Sequence, residues 1–320
     1  MKAALITEFA ARSTLAIKQI SPVTPGKQQV VVDVNYASVN PIDWKMQSAL
    51  AYLPRNLFTP VILGRDFAGT VAAIGEKVKG FAVGDRVFGV SMNMMKGTFA
   101  EKAAVDANHL VKVPDNISLE TAAALPTVGI TVLQCFQKVD LRSGERLVIV
   151  GAAGGIGTVA VQIAKSMGVH VTAICSEKNR QRILSLGADR VIDYQQPYFL
   201  TQVGEADVVF DAAGTPGINQ WKSVLSKQGR FITIGPDAKS TFALISHGVL
   251  LQKPSASFLS SRPNPTDLQE IIRLVEQQKL KPIIDSVFNF ADINGAFARS
   301  RSKRAQGKIL IRIMEEQRRS

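Results

Sequence analysis

A glycine-rich stretch is the part of this sequence whose residue types and spacing are best suited to chemistry. Residues 151–157 read Gly-Ala-Ala-Gly-Gly-Ile-Gly and follow the apolar run Leu147 to Val150. That run is typical of a parallel strand buried on both faces. Apolar residues then recur at helical spacing from Ile156 to Ile163. The order of strand, glycine turn and helix predicts that a phosphate group meets backbone N–H groups at the positive end of a helix.

A second apolar run at 169–174 completes the pattern of a dinucleotide-binding unit. In the fingerprint frame the three glycine positions are Ala152, Gly154 and Gly157, so alanine replaces the first glycine and Gly151 adds conformational freedom beside it. An ordinary strand-to-helix turn is the alternative. The residues predicted to line the cofactor phosphates are Ala153, Gly154, Gly155, Ile156 and Gly157.

The choice of dinucleotide depends on the residue that ends the second strand. NAD-dependent enzymes usually carry Asp or Glu there, to bind the ribose 2′-hydroxyl. This chain has Ser176, followed by Lys178, Arg180 and Arg182. A neutral hydroxyl beside cations suits a 2′-phosphate, so the sequence predicts NADPH rather than NADH. A solvated basic helix face is the alternative for these three cations.

Length and composition place the chain among globular proteins. Its 320 residues are enough for two domains, with 46% hydrophobic and 20% charged residues and no apolar run of membrane-spanning length. The first residues enter a predicted strand at once and contain no apolar signal core, so we expect no targeting segment. Cys135 and Cys175 are too few for a disulfide framework, and we expect two core thiols in a cytoplasmic protein.

The net charge of +12 is unevenly distributed along the chain. Residues 299–320 hold eight basic residues and two acidic ones. Such a segment meets anionic lipid or nucleic acid in some proteins, and in others it is simply a solvated basic surface. The solvated surface is the favoured interpretation.

The pattern of the chain changes once. Up to about residue 115 short strands and turn residues alternate, as expected of a compact, barrel-like antiparallel domain. From Ser118 strands alternate with helices, which predicts an α/β fold with a doubly wound parallel sheet. The predicted strands are 3–6, 15–20, 30–34, 69–74, 86–90, 99–105, 147–150, 169–174, 190–193, 207–211, 229–235 and 255–259. A helix at 266–278, a strand at 283–288, a helix from Asp292 and a strand at 308–313 are predicted to return to the first domain.

Seven segments carry a family resemblance that covers nearly the whole chain. They are Ser38-Val-Asn-Pro-Ile-Asp-Trp-Lys, Gly64-Arg-Asp-Phe-Ala-Gly, Val83-Gly-Asp-Arg-Val, Ala123-Ala-Leu-Pro, Gly151-Ala-Ala-Gly-Gly-Ile-Gly, Leu186-Gly-Ala-Asp and Gly307-Lys-Ile. In order and spacing they resemble a zinc-independent member of the medium-chain dehydrogenase/reductase superfamily, near the quinone oxidoreductases and the alkenal/enone reductases. The resemblance implies a GroES-like catalytic domain at 1–117 with 262–320, a Rossmann NADP(H)-binding domain at 118–261, and a homodimer.

The resemblance also identifies the positions where zinc-dependent relatives hold their catalytic metal. Those positions carry Asn40, Arg65 and Thr127, and two cysteines cannot supply a four-cysteine structural site. We therefore expect no metal. Without a Lewis acid, the expected reaction is hydride transfer from NADPH to an acceptor activated by conjugation, such as a quinone or an α,β-unsaturated carbonyl.

Three residues are the catalytic candidates. Asn40 stands at a former metal position, where its amide would donate to an oxyanion or to the cofactor, and Asp43 either orients it or caps a turn. Lys45 and Tyr52 lie in a predicted loop, where an ammonium or a phenol would donate to substrate oxygen. A solvent-facing lysine and a wall-lining tyrosine are the alternatives. Arg65 and Asp66 are expected to form an ion pair in place of the metal.

Other cofactor contacts are carried over from the family by position alone. They are Thr127, Thr131, Tyr194, Ala213, Gly214, Gly235, Phe258 and Leu259. The resemblance leaves two rivals to the quinone or enone reductase. One is an enoyl-thioester reductase, and the other is an NADPH-regulated protein that binds RNA or a membrane surface through the basic C-terminal segment.

Overall fold

The fold comes from a computed structural model that describes residues 1–6, 14–50, 61–93, 95–214, 220–234, 256–259 and 261–315, with the backbone alone at 49–50 and 256–259. The strands in chain order are β1 (Lys2–Ile6), β2 (Leu15–Gln19), β3 (Gln29–Val39), β4 (Val61–Ile62), β5 (Asp66–Ile74), β6 (Arg86–Val90), β7 (Lys102–Asp106), β8 (Leu110–Lys112), β9 (Arg146–Val150), β10 (His170–Cys175), β11 (Arg190–Asp193), β12 (Ala206–Asp211), β13 (Leu225–Ile234), β14 (Ala256–Leu259), β15 (Ile284–Asn289) and β16 (Lys308–Arg312). The helices are α1 (Pro41–Leu50), α2 (Leu119–Ala123), α3 (Pro126–Lys138), α4 (Gly155–Ser166), α5 (Arg180–Ser185), α6 (Pro265–Glu276) and α7 (Ile293–Arg301).

The chain forms two compact units. The first unit contains Met1–Thr127, Pro263–Glu276 and Pro282–Ser320, and the second contains Val128–Arg262 and Gln277–Lys281. In the first unit the strands form one sheet in the order β2-β1-β4 and a larger one in the order β15-β16-β3-β5-β6-β8, with β7 paired to β3. Phe99 and Phe297 meet edge to face in its core, with ring centroids 5.7 Å apart. The C-terminal elements β15, α7 and β16 lie in this unit.

The second unit contains the predicted doubly wound sheet. Its six strands run parallel in the order β11-β10-β9-β12-β13-β14. The strand order therefore reverses between β9 and β12, at the centre of the sheet. In sheets of this kind ligands bind at the carboxyl ends of the strands beside such a reversal. The glycine turn follows β9 and so lies at this point.

The observed units divide the chain at slightly different places from the predicted domains. The predicted boundary fell after residue 117, but α2 packs against β3, β5 and β6, and the first unit extends to Thr127. Residues 277–281 were assigned to the catalytic domain and lie in the second unit instead. The Lys281 N–H donates to Gln162 Oε1 at 2.9 Å, and Gln162 Nε2 donates to the Lys281 carbonyl at 3.0 Å. This reciprocal pair fixes the segment to α4.

Helix α1 differs from the sequence prediction, which treated this region as a loop. Asn40 precedes the helix, Pro41 is its first residue, and the Asp43 carboxylate accepts a hydrogen bond from the Asn40 N–H at 2.7 Å. Proline at the first helical position and an acid at the third are helix-start signals. The prediction missed the helix because it interpreted these residues only as candidate site residues.

Candidate functional site

The glycine turn has the geometry that a phosphate cradle requires. Gly151 directly follows β9 and has a φ of +77°, so it supplies the left-handed residue of the turn, and Ala152 at the first fingerprint position is buried. A Cβ on Gly157 would lie 2.3 Å from the Gly151 carbonyl oxygen, so this glycine lets α4 approach the strand. Gly154 precedes α4 as its N-cap residue, and a Cβ there would meet only the Gly151 oxygen, at 3.5 Å. The stretch between the buried residues Ala152 and Gly157 is partly exposed. It consists of Ala153, Gly154, Gly155 and Ile156.

A second turn at the same sheet edge is ordered by a buried carboxylate. Asp211 ends β12, and its Oδ1 accepts hydrogen bonds from the N–H groups of Ala213 and Gly214, both at 3.0 Å. Ala213 is exposed, and its Cβ lies 2.9 Å from where a Cβ on Gly151 would be. The structure therefore brings these two predicted cofactor contacts next to the glycine turn. Gly235 lies outside the described residues. Phe258 and Leu259 are the last two residues of β14, of which the structure describes the backbone.

The residues predicted to select the cofactor surround the end of β10. Ser176 follows the strand and accepts a hydrogen bond from Asn179 Nδ2 at 2.9 Å, and Lys178 is exposed. Arg180 is already engaged, because it pairs with Glu177 at 2.6 Å and donates to the Val191 carbonyl at 2.7 Å.

Tyr194 directly follows β11 and is 52% exposed. Its side chain is therefore exposed at the carboxyl end of the sheet. Thr131 is buried in α3, and its hydroxyl donates to Ser261 Oγ at 3.3 Å.

In the first unit a buried polar cluster contains two of the predicted site residues. We call it the Asp66 network, and its members are Ser38, Asn40, Asp66, Thr127 and Lys308. Strand β3 lies between β5 and β16, with Ser38 opposite Asp66 on one side and Leu310 on the other. The start of β5, the end of β3 and the start of β16 thus meet, which brings Asp66, Asn40 and Lys308 together.

Asp66 is fully buried and accepts several hydrogen bonds. Its donors are Ser38 Oγ at 2.7 Å, Asn40 Nδ2 at 2.9 Å, the Thr127 N–H at 3.0 Å, Lys308 Nζ at 3.2 Å and the Thr127 hydroxyl. Lys308 Nζ also donates to Asn40 Oδ1 at 2.7 Å. Burial by itself would raise the pKa of Asp66, but the Lys308 charge and the hydrogen bonds from Thr127, Asn40 and Ser38 outweigh burial and hold that pKa below its usual value.

Both ends of the Asn40 amide are engaged in the network, and the side chain is buried. The structure thus makes Asn40 a partner of Asp66 and Lys308, where the sequence predicted a donor to an oxyanion or to the cofactor. Lys45 lies on the exposed face of α1, and Tyr52 lies outside the described residues.

The expected ion pair between Arg65 and Asp66 is wrong. The Arg65 guanidinium lies 2.8 Å from Met92 Sδ, and the cation beside Asp66 is Lys308. Successive side chains in extended chain point to opposite faces, so Arg65 faces away from the pocket that Asp66 enters. Sequence analysis missed Lys308 because 242 residues separate it from Asp66. The sequence feature that could have pointed to Lys308 is its position as a lysine directly before the apolar run Ile309 to Ile311.

Comparison with known proteins supports this architecture. The family model "Alcohol dehydrogenase GroES-like domain" matches residues 26–115, and the model "Zinc-binding dehydrogenase" matches residues 186–311. The "Chloroplast envelope quinone oxidoreductase homolog" of Arabidopsis thaliana is 33% identical over 92% of each chain. The "Quinone-oxidoreductase homolog, chloroplastic" of Spinacia oleracea is 34% identical over 93% of this chain and 94% of that one.

The chain belongs to the medium-chain dehydrogenase/reductase superfamily. It falls in the quinone oxidoreductase-like branch, as predicted. The solved quinone oxidoreductase from Coxiella burnetii matches 98% of this chain and 99% of that chain, with a TM-score of 0.88 and 27% identity. Membership confirms the GroES-like and Rossmann architecture and makes the protein an oxidoreductase that binds a nicotinamide cofactor.

The residues at the family's zinc positions do not fit that metal. Zinc in proteins is bound by thiolate, imidazole and carboxylate groups. Here the three positions offer the Asn40 amide, the Arg65 guanidinium and the Thr127 hydroxyl, and Lys308 places an ammonium group against Asn40. The positive charge of Lys308, hydrogen-bonded to Asn40, would repel a metal cation at this position. Within the described parts of the chain, no group of three or more His, Cys, Asp or Glu residues is arranged to hold a metal.

The two cysteines are core thiols, as predicted. Both are buried, and burial raises the pKa of Cys135 to about 12 and that of Cys175 to about 11. Few thiolates therefore form at neutral pH. Among the described residues, no helix has the length and apolarity needed to span a membrane.

Proposed function

We propose that the protein is an NADPH-dependent, zinc-independent reductase of quinones or α,β-unsaturated carbonyl compounds. The observation that carries this proposal is the buried Lys308 ammonium group, which is bonded to Asn40, at one of the family's metal positions, and to Asp66. An enzyme without a Lewis acid suits acceptors that conjugation has already activated. The two quinone oxidoreductase homologues named above support the same class of acceptor.

The glycine turn and its neighbours are the proposed cofactor site. Backbone N–H groups at Gly154, Gly155 and Ile156 would hold the pyrophosphate, and Ala213 and Gly214 would line the same sheet edge. When bound, the cofactor supplies the hydride. The remaining task for the protein is to orient the acceptor and to stabilise charge that develops on its oxygen. We assign that donation to Lys45 and Tyr52, because the Asn40 amide is held by Asp66 and Lys308.

NADPH is the proposed form of the cofactor because no carboxylate stands at Ser176. The exposed Lys178 is the candidate partner for a 2′-phosphate, since Arg180 is paired with Glu177. We further propose that the chain acts as a homodimer in a reducing, cytoplasm-like compartment. Strand β14 supports the dimer because, among the described strands, it is the last of the parallel sheet and so offers an edge for pairing. Light scattering during size-exclusion chromatography tests it, and a monomeric mass would contradict it.

The test of the proposed function is cofactor oxidation by chelator-treated protein. NADPH and NADH are compared with 9,10-phenanthrenequinone, 1,4-benzoquinone, 2-hexenal and crotonyl-CoA as acceptors. We expect turnover with NADPH and a quinone or the enal. Turnover confined to crotonyl-CoA would favour the enoyl-thioester reductase. Tight NADPH binding without turnover of any acceptor would contradict the proposal.

Ser176→Asp tests the cofactor preference. A carboxylate at this position repels a 2′-phosphate and binds a 2′-hydroxyl, so kcat/KM for NADPH should fall at least about tenfold and the value for NADH should rise. Ser185→Asp adds the same charge at the exposed end of α5 and should leave the ratio unchanged. Equal effects of the two substitutions would contradict the assignment of Ser176 to the ribose.

A further inference from the structure

Ser176 and Asn179 both occupy helix-capping positions, but their side chains do not cap a helix. Ser176 precedes the short 3₁₀ helix Glu177–Asn179, and Asn179 is the N-cap residue of α5. Serine and asparagine are favoured at such positions because their side-chain oxygens accept a hydrogen bond from a backbone N–H of the first turn. Neither side chain makes that bond here. The polar atoms of both residues are therefore available for another task.

The side chain of Asn179 joins Ser176 to Arg182. It is 5% exposed, its Oδ1 accepts a hydrogen bond from Arg182 Nη2 at 2.8 Å, and its Nδ2 donates to Ser176 Oγ at 2.9 Å. A guanidinium group carries only hydrogen-bond donors, so the amide must turn its oxygen toward Arg182. Arg182 thus fixes the orientation of the amide, and the Asn179 nitrogen is the atom that faces Ser176.

The orientation of this amide determines the orientation of the Ser176 hydroxyl group. An amide nitrogen only donates, so the Ser176 oxygen must accept, and the hydroxyl hydrogen must point away from Asn179. Within the described parts of the chain, no group accepts that hydrogen. Ser176 directly follows β10 and is partly exposed. It therefore presents a hydrogen-bond donor at the carboxyl end of the sheet.

We propose that Asn179 is a positioning residue that makes Ser176 a hydrogen-bond donor to the 2′-phosphate of NADPH. The inference rests on the proposed function, in which Ser176 lies beside the ribose. A hydrogen bond to an ionised phosphate oxygen is stronger than one to a neutral group. The 2′-hydroxyl of NADH is neutral, so a donor held in this direction favours NADPH. Asn179 acts through Ser176 and touches no cofactor atom.

The test is a double-mutant cycle on nucleotide binding. The probes are 2′,5′-ADP, which carries the 2′-phosphate of NADPH, and 5′-AMP, which lacks it, and neither contains nicotinamide. Calorimetry gives the Kd of each probe for the wild type, Ser176→Ala, Asn179→Asp and the double variant. Asn179→Asp keeps the shape of the side chain and its bond to Arg182, but the carboxylate accepts the Ser176 hydrogen. The serine then no longer donates to the phosphate.

We expect Ser176→Ala to lower the preference for 2′,5′-ADP at least about tenfold when Asn179 is present, the contribution of one hydrogen bond to a charged group. In the Asn179→Asp background the same substitution should change the preference less than about twofold, because the hydroxyl hydrogen is already bound. The added negative charge repels the phosphate with serine or alanine alike, so the cycle cancels that repulsion. An equal cost of Ser176→Ala in both backgrounds would overturn the proposal, and so would no cost in either.

A second variant removes the amide without adding a charge. In Asn179→Ala the Ser176 hydroxyl group rotates among its three staggered positions, so the preference for 2′,5′-ADP should fall about threefold. Gln162→Ala is the matched control, since it removes a buried amide in α4 that is bonded to the Thr158 and Lys281 carbonyls, and it should leave the preference unchanged. A folded Asn179→Ala variant with the wild-type preference, or an equal fall in the control, would overturn the proposal.

The failure of this inference and the failure of the proposed function give different results. Binding of 2′,5′-ADP and 5′-AMP requires neither nicotinamide nor turnover. A protein that binds both nucleotides but reduces no acceptor would contradict the proposed function, and the mutant cycle would still decide the role of Asn179.

Discussion

Asp43 is a buried carboxyl group whose protonation is coupled to folding. It is 1% exposed, accepts the Asn40 N–H, and lies near the charge of Asp66. Burial is the main reason that its pKa rises from 3.8 to about 7, and the negative Asp66 adds to the rise. The Asn40 hydrogen bond and the charges of Lys308 and Arg65 oppose it. Of the two carboxyl groups next to Asn40, Asp66 is therefore ionised at neutral pH, whereas Asp43 gains or loses its proton near that pH.

The sign of the resulting pH dependence follows from linkage. Because the folded pKa of Asp43 lies above the unfolded value, the folded state binds a proton that the unfolded chain releases between about pH 4 and pH 7. Asp43 therefore lowers the free energy of unfolding as pH rises through that window. Asp43→Asn removes the titration. We expect its stability relative to the wild type to improve by about 2–3 kcal/mol between pH 5 and pH 8, measured by denaturant unfolding.

Asp106→Asn is the matched control, since Asp106 also accepts a backbone N–H, from Asn108 at 2.9 Å, but at a more exposed turn. It removes the same charge and an equivalent hydrogen bond without the burial of Asp43. A pH-independent difference between Asp43→Asn and the wild type would show that the buried carboxyl group is not the source of the dependence.

At the scale of single residues, the sequence predicted which residues belong to the site better than it predicted their bonding partners. Asn40 and Thr127 were selected by position, and the structure places both in one network. Their central cation came from a strand 268 residues after Asn40, and no local spacing encodes such a contact. Arg65 was expected to be that cation because it stands at a former metal position next to Asp66, but neighbouring side chains in an extended chain point to opposite faces.

At the scale of elements, strong periodicity made the second unit predictable. The runs at 147–150 and 190–193 became β9 and β11 within one residue, because buried parallel strands are continuous apolar runs. The short elements were missed. Strand β4 has two residues, and α1 has a mixed pattern whose start signals lie in Asn40, Pro41 and Asp43. The return of β15 and β16 to the first unit was predicted from the family resemblance.

The glycine turn allows two roles of glycine to be separated experimentally. In Gly157→Ala the new Cβ would lie 2.3 Å from the Gly151 oxygen and 2.5 Å from Ala152 Cα, so α4 must move away from β9. We expect the free energy of unfolding to fall by about 1–3 kcal/mol or more, as for other overpacked sites, and cofactor binding to weaken with it. Chemical denaturation and cofactor titration check both effects.

Gly154→Ala is the matched substitution three residues earlier. Its Cβ meets only the Gly151 oxygen at 3.5 Å, and the backbone at Gly154 has a φ of −79°, which alanine adopts readily. The free energy of unfolding should fall by no more than about 1 kcal/mol, the usual cost of alanine at an N-cap. The methyl group would nonetheless obstruct the approach of a pyrophosphate, so NADPH affinity should fall at least about tenfold. Unchanged affinity would place the phosphates away from this turn.

At the scale of the whole molecule, the basic excess of the C-terminal segment is partly consumed inside the fold. Lys308 is buried in the Asp66 network, and Arg301 donates to Gln47. Arg299 forms two hydrogen bonds to Asp285, at 2.8 and 2.6 Å. These three cations join elements of the first unit. The rival function, binding of RNA or anionic membrane through this segment, thus loses part of the surface it requires.

Arg299→Ala and Lys303→Ala distinguish a structural cation from a surface cation. Asp285 retains only 5% side-chain exposure beside Arg299, so loss of the arginine should lower the free energy of unfolding by about 1–3 kcal/mol. Lys303 is exposed, and its removal should change stability by less than about 0.5 kcal/mol. Each substitution removes one positive charge, so binding to phosphatidylserine vesicles at low salt should decrease equally and slightly in both. A severalfold loss of vesicle binding in Arg299→Ala alone, with stability unchanged, would instead identify Arg299 as part of a lipid-binding surface and revive the rival function.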